Sequence, residues 1–189
     1  MIRNYFILFL AYILVPIKPV IMRKLNDGVR IHITAVKLGG LSKFVDNLMR
    51  SDDVYILYIR GFYVMVYRNI PVIIGTKNYL KIPDGIIHIH QLDYYPWKFK
   101  SFLKDRKYIM TIHDYYYICP RYFLINKFGN RCISFNCDKC CNIDSIKWKM
   151  AMYSILKGAV HVIVPNITVK KVLKTHFNLN NIMVIEHGI

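Results

Sequence analysis

His113 and Asp114 stand side by side directly after the apolar run Tyr108 to Ile112. An imidazole at a strand end can donate to an incoming sugar or carry a proton, and a neighbouring carboxylate can orient polar groups around it. His88 and His90 alternate along the run Ile86 to His90, so both face one side of a strand. That spacing suits a metal ion, but two imidazoles make an incomplete site, and the reading is of structural or cleft-lining side chains. Gly39-Gly40 lies between a strand-like and a helical stretch. Glycines there let a phosphate or a sugar approach backbone amides at a helix N-terminus, the alternative being a plain tight turn. Neither G-x-G-x-x-G nor a Walker loop is present, so dinucleotide and P-loop readings have no support.

Cys119, Cys132, Cys137 and Cys140 follow the spacing C-x12-C-x4-C-x2-C, with Cys141 adjacent. Four thiolates so close in sequence can close one tetrahedral structural zinc site. Two disulfides are the alternative in an oxidising compartment, and unligated buried thiols the plainest reading. Asn166-Ile167-Thr168 matches a glycosylation sequon, and it equally suits the start of a helix.

Positioning these residues requires an alternation of short strands and helices. Val29 to Val36, Val54 to Ile59, Ile86 to His90, Tyr108 to Ile112, Val160 to Val164 and Ile182 to Ile185 read as strands. Tyr63 to Tyr67 and Pro71 to Ile74 are two further apolar runs. Leu41 to Met49, Pro96 to Lys104, Ser145 to Lys157 and Thr168 to His176 read as helices, and Asp114 to Asp144 as an irregular insert rich in Tyr and Cys. The pattern predicts an α/β fold: a Rossmann-like parallel sheet with helices on both faces, carrying a Cys-rich insert. In such sheets ligands bind at the carboxyl ends of strands, where Gly39-Gly40, His88 to Gln91 and His113-Asp114 all fall.

The chain of 189 residues, 54% apolar and 20% charged, can bury a full core. Its mean hydropathy is +0.26. The formal net charge is +16, spread along the chain without a basic block, and a field of that sign attracts polyanions such as anionic lipid, phosphorylated substrates or nucleic acid. Residues 1–27 form an apolar and basic segment, with the uncharged run YFILFLAYILVPI at 5–17. It is shorter than the roughly 20 apolar residues of a spanning helix. An interfacial anchor, a short signal anchor and a buried helix all fit it. The expectation is membrane association with the main domain, residues 28–189, on the cytoplasmic side.

Residues 111–140, beginning TIHDYYYICPRYFLINKFGNRC, resemble the family-4 glycosyltransferases of GT-B fold, whose members often read strand, His-Asp-aromatic, Cys-Pro and a Cys-bearing loop. Three more segments resemble that family in the same order. They are VRIHITAVKLGGLSKFVDNLM at 29–49, IHIH at 87–90, and VHVIVPNITVKKVLKTHFNLNNIMVIEHGI at 160–189. The resemblance therefore spans about residues 29 to 189.

The resemblance implies the acceptor-side domain of a two-domain enzyme that moves a sugar from a nucleotide-sugar to an acceptor hydroxyl. His113 matches the family histidine near the reacting centre. Gly39 and Gly40 match the loop near donor phosphate and acceptor, and Asp114 and His90 join the substrate-binding set. No D-x-D occurs in the chain. The metal-chelating alternative glycosyltransferase fold is therefore disfavoured, and no catalytic divalent metal is expected. Asn166 stands where the family usually has Ser, and His187 where it usually has Asn. The donor-gripping residues of the family lie beyond the matched span, so a donor domain on a longer chain or a partner chain is expected. The expected partners are a sugar acceptor and an anionic membrane surface. A non-catalytic glycan- or lipid-binding module, or half of a split enzyme, is the alternative. A zinc-bearing nucleic-acid binder is disfavoured because the insert's aromatics do not interleave with a basic stripe, and no nucleic acid is expected.

Overall fold

The computed structural model describes residues 29–34, 44–45, 47–48, 53–59, 62–67, 70–76, 79–80, 82, 85–92, 101–120, 124–126, 128–132 and 145–186. Residues 1–27, Gly39-Gly40, Cys137, Cys140 and His187 lie outside them, with the expectations placed there. The chain divides into two units, residues 1–106 and 107–189.

In the first unit six strands are ordered β5-β4-β3-β2-β1-β6. They are β1 (Arg30–Thr34), β2 (Val54–Ile59), β3 (Phe62–Tyr67), β4 (Ile70–Thr76), β5 (Tyr79–Leu80) and β6 (Ile86–Ile89). β1 pairs in parallel with β2 on one side and with β6 on the other. Register places Ile31 beside Val54 and Ile87, and Ile33 beside Ile56 and Ile89. All six of these side chains are fully buried, and burying each contributes roughly 1.5–3 kcal/mol before ordering entropy is counted. Strand period two puts Arg30, His32 and Thr34 on the opposite face. His32 and Thr34 are buried too, so both faces of the central strand are covered.

The expectation of a wholly parallel sheet fails at β3 to β5, which run antiparallel as a meander from β2. Only two residues separate β2 from β3, two separate β3 from β4, and two separate β4 from β5. A parallel crossover needs a dozen residues or more, so connections this short enforce hairpins. The Leu41–Met49 reading holds where it is described, since Phe44, Val45, Asn47 and Leu48 are helical. Val45 is buried there, while Leu48 is exposed.

The second unit is a parallel β-α-β-α-β arrangement. Its strands β7 (Tyr108–Thr111), β8 (His161–Val164) and β9 (Ile182–Val184) are ordered β7-β8-β9. Its helices are α1 (Ser145–Gly158) and α2 (Ile167–His176). α1 buries Trp148, Met152, Ile155 and Leu156, the spacing of one helical face. Its C-terminal carbonyls are satisfied by the side-chain amide of Asn181, which donates to Leu156 O at 3.0 Å and Ala159 O at 2.7 Å. Asn166 caps α2, its Oδ1 accepting from Val169 N–H at 2.9 Å. The sequon residue therefore serves as a helix N-cap. Lys174 lies in the last turn, where positive charge suits the helix dipole.

Candidate functional site: a histidine cluster clamped by an ion pair

On the polar face of the first unit's sheet, three imidazoles meet a carboxylate and a guanidinium. His32 lies mid-strand in β1, and register sets it beside His88 of β6. Two residues further on, His90 follows the end of β6, held by its N–H to Ile33 O at 2.8 Å. Asp53 directly precedes β2 and stands beside Arg30, as the pairing of Ile31 with Val54 requires.

Arg30 grips Asp53 with both arms, Nε to Oδ1 and Nη2 to Oδ2, each 2.8 Å. This is the fork geometry that suits a carboxylate. Asp53 Oδ2 also lies 3.3 Å from His32 Nε2, and His32 Nδ1 lies 3.0 Å from His90 Nε2. The two rings are nearly parallel, 13° apart, and meet edge to edge with centroids 5.3 Å apart, and the centroid of the His88 ring lies 4.1 Å from that of His90. His32, His90 and Asp53 are buried, and His88 is half-buried.

A carboxylate accepts only, so His32 presents its Nε2–H to Asp53 and keeps Nδ1 as an acceptor. His90 must then donate from Nε2. The ion pair thereby sets the tautomers of two successive rings. Burial holds the His32 imidazolium below its ordinary range against the opposing pull of Asp53. Burial, reinforced by His32 and Arg30, pushes His88 down to about 4. Both rings are therefore neutral at pH 7 and can offer lone pairs.

His113 sits in the second unit, two residues past the end of β7, and is half-buried. Ile112 extends the β7–β8 pairing through its N–H to Ile163 O at 2.9 Å, so His113 directly follows a residue bonded to β8. Asp114 turns back on its own chain, with Oδ1 accepting from Tyr116 N–H at 2.9 Å. Burial raises its carboxyl above the usual range. The segment after Asp114 makes a turn in which Ile118 N–H and Cys119 N–H both reach Tyr115 O. Tyr116 meets the Trp148 ring of α1 edge-on at 5.1 Å, which ties this turn to that helix. Cys119 and Cys132 are both buried.

His90, read from sequence as substrate-binding, is bonded to His32 and almost wholly buried. His32, Asp53 and Arg30 were not picked out by the sequence reading. His32 completes a trio whose other members are 56 and 58 positions away, and only strand register brings them together. The signal available was the R-x-H-x-T alternation of polar residues with Ile31 and Ile33 in β1. Among the described residues no helix is long and apolar enough to cross a membrane.

No protein-family model matches the chain, and comparison with curated proteins and with solved structures finds no significant match.

Proposed function

We propose that the chain is the acceptor-side domain of a GT-B-type glycosyltransferase, working with a domain that binds the nucleotide-sugar. The observation that carries this reading is the parallel trio β2-β1-β6, with β1 between strands on either side. The strand order reverses at β1, and open α/β sheets bind ligands at such a switch point, outside the carboxyl ends of the strands. The sequence segments that follow β1 and β7, Gly39-Gly40 and His113-Asp114, are those that resemble the family-4 enzymes.

In this reading the α/β framework is the Rossmann-like half, and the insert from Asp114 is an elaboration of it. His113 contacts the sugar near the reacting carbon, and Gly39 and Gly40 give the acceptor and the donor phosphates close backbone approach. The net charge of +16 favours an anionic or lipid-linked acceptor at a membrane surface.

The test uses the full chain, alone and fused after Ile189 to a GT-B donor domain. Panels of glycan and lipid-linked acceptors are offered with labelled nucleotide-sugars. The expected result is acceptor binding by the chain alone, with transfer only by the fusion. His113→Ala is expected to lower transfer by roughly 100-fold or more while leaving acceptor binding in place. Transfer that survives His113→Ala undiminished removes the catalytic assignment. Failure to bind any acceptor removes the reading.

A further inference from the structure

The polar face of the first unit brings His32, His88 and His90 together. One potential ligand nitrogen from each of His32, His88 and His90 lies within 4.8 Å of the others. Zinc–imidazole bonds of about 2.0–2.1 Å in a tetrahedral site need nitrogens roughly 3.3–3.5 Å apart. His32 Nδ1 and His90 Nε2 are 3.0 Å apart, and a pair at the 4.8 Å limit must close by about 1.4 Å to reach that spacing, a movement within the reach of ring rotation. Backbone placement is already set, because His32 and His88 are register partners and His90 is tied to Ile33.

The surroundings also match a metal site. A metal-bound imidazole usually donates its other N–H to a carboxylate, which fixes the ring and strengthens the ligand. His32 does this toward Asp53, and Asp53 is itself clamped by Arg30. With Nε2 committed to Asp53, Nδ1 is the lone pair that His32 turns toward His90. The donor set is all nitrogen, borderline in softness, which favours zinc-class divalent ions over magnesium or calcium.

We propose that His32, His88 and His90 form a three-histidine site for a zinc-class divalent metal ion, with Asp53 and Arg30 as the outer clamp. Binding moves the ring proton of His90 from Nε2 to Nδ1 and replaces the His32–His90 hydrogen bond with two metal bonds. A neutral imidazole binds a metal through its unprotonated nitrogen and keeps its other N–H. This site uses none of the cysteines and does not depend on the glycosyltransferase reading.

The experiment titrates the metal-stripped full chain with Co2+ as a spectroscopic stand-in, then displaces it with Zn2+. One equivalent is expected to give weak visible d–d bands without near-ultraviolet thiolate charge transfer. The signal should be lost in His88→Gln and kept in the Cys137→Ser, Cys140→Ser double variant. Asp53→Asn should weaken binding by about 10–100-fold. In the wild-type chain, Zn2+ should shift the imidazole 15N resonances of three of the seven histidines, a readout that stands even where a variant fails to fold. Thiolate bands with unmoved imidazole resonances would place the metal at the cysteines and overturn the proposal. A folded wild-type chain that takes up no metal at micromolar free Zn2+ overturns it as well.

Discussion

His32 Nδ1 lies 3.0 Å from His90 Nε2 in a buried setting, and the far side of the His32 ring faces Asp53. Each ring nitrogen of His32 therefore has an assigned partner, and the protonation of one ring is tied to that of the next. Cores seldom bury two imidazoles in contact. Here the pair sits on the face of β1 opposite Ile31 and Ile33, so the apolar core is left undisturbed.

Stability should fall as pH drops below the ordinary histidine range. His88 has a folded pKa of about 4 against an ordinary 6.5, and His32 is displaced in the same direction. Between those two values the unfolded chain binds more protons than the folded one, so acidification favours unfolding. The stabilising contribution is complete above pH 6.5 and lost toward about pH 4. At about 1.4 kcal/mol per unit, His88 accounts for at most roughly 3.5 kcal/mol. Urea unfolding at pH 7.5, 6 and 5 measures this, with His88→Gln as the comparison. The variant removes the histidine contribution but keeps the general repulsion of a basic chain, so its profile should be flatter. Parallel profiles for the two proteins would show that His88 is not held neutral.

Arg30→Met should destabilise the fold and raise the pKa of His32. Arg30 is partly solvated, its side chain 35% exposed against 5% for Asp53. Removing it leaves a buried carboxylate facing His32, and an uncompensated buried charge costs about 3–5 kcal/mol. Protonation of His32 can relieve part of this, so a loss of roughly 2–3 kcal/mol is expected at neutral pH. Arg30 also lowers the His32 pKa directly, so its loss and the new need for a counter-charge act together. NMR titration of His32 measures the shift, and a value unchanged from wild type would disprove the coupling.

Much of the fold was legible because strand and helix periods are local. The predicted strands at 54–59, 86–90, 108–112 and 160–164 appear within a residue or two, and α1 and α2 begin within one residue of expectation. The apolar runs at 63–67 and 71–74 were visible, but their direction was not, since a run of apolar residues looks the same in a hairpin and in a parallel crossover. The decisive fact there was the two-residue spacing between strands. His88 and His90 were legible as a same-face pair. His32, Asp53 and Arg30 were not, because the pairing of β1 with β2 and β6 is a long-range property.

Gly85→Ala should be among the most damaging small substitutions in the first unit. A Cβ built at Gly85 would lie 2.4 Å from Val29 O, a backbone atom that cannot swing aside. That same oxygen accepts from Ile86 N–H at 2.9 Å, the bond that opens the β1–β6 pairing. Relieving the clash separates the strands that carry His32 and His88. A loss on the order of 2–4 kcal/mol is expected, together with altered imidazole resonances for the trio. A thermal midpoint within a degree of wild type would disprove the close approach.

Gly158→Ala offers a contrasting case, because the obstructing atom is a side chain. A Cβ at Gly158 would lie 2.7 Å from Tyr108 Oη. That hydroxyl donates to Ile155 O at 2.6 Å, and burial pushes its pKa up to about 12. The new methyl group displaces the hydroxyl and breaks the bond, for a loss of about 1–3 kcal/mol. Tyr108→Phe alone should cost about 1 kcal/mol, as a buried carbonyl loses one donor. In the double variant the clash disappears with the oxygen, since the next ring carbon is 3.6 Å from the added Cβ, an ordinary contact. The two substitutions should therefore be sub-additive, with the double variant little worse than Tyr108→Phe. Denaturant midpoints of the four proteins close the cycle. Strict additivity would mean that Gly158 is required for some reason other than the Tyr108 hydroxyl.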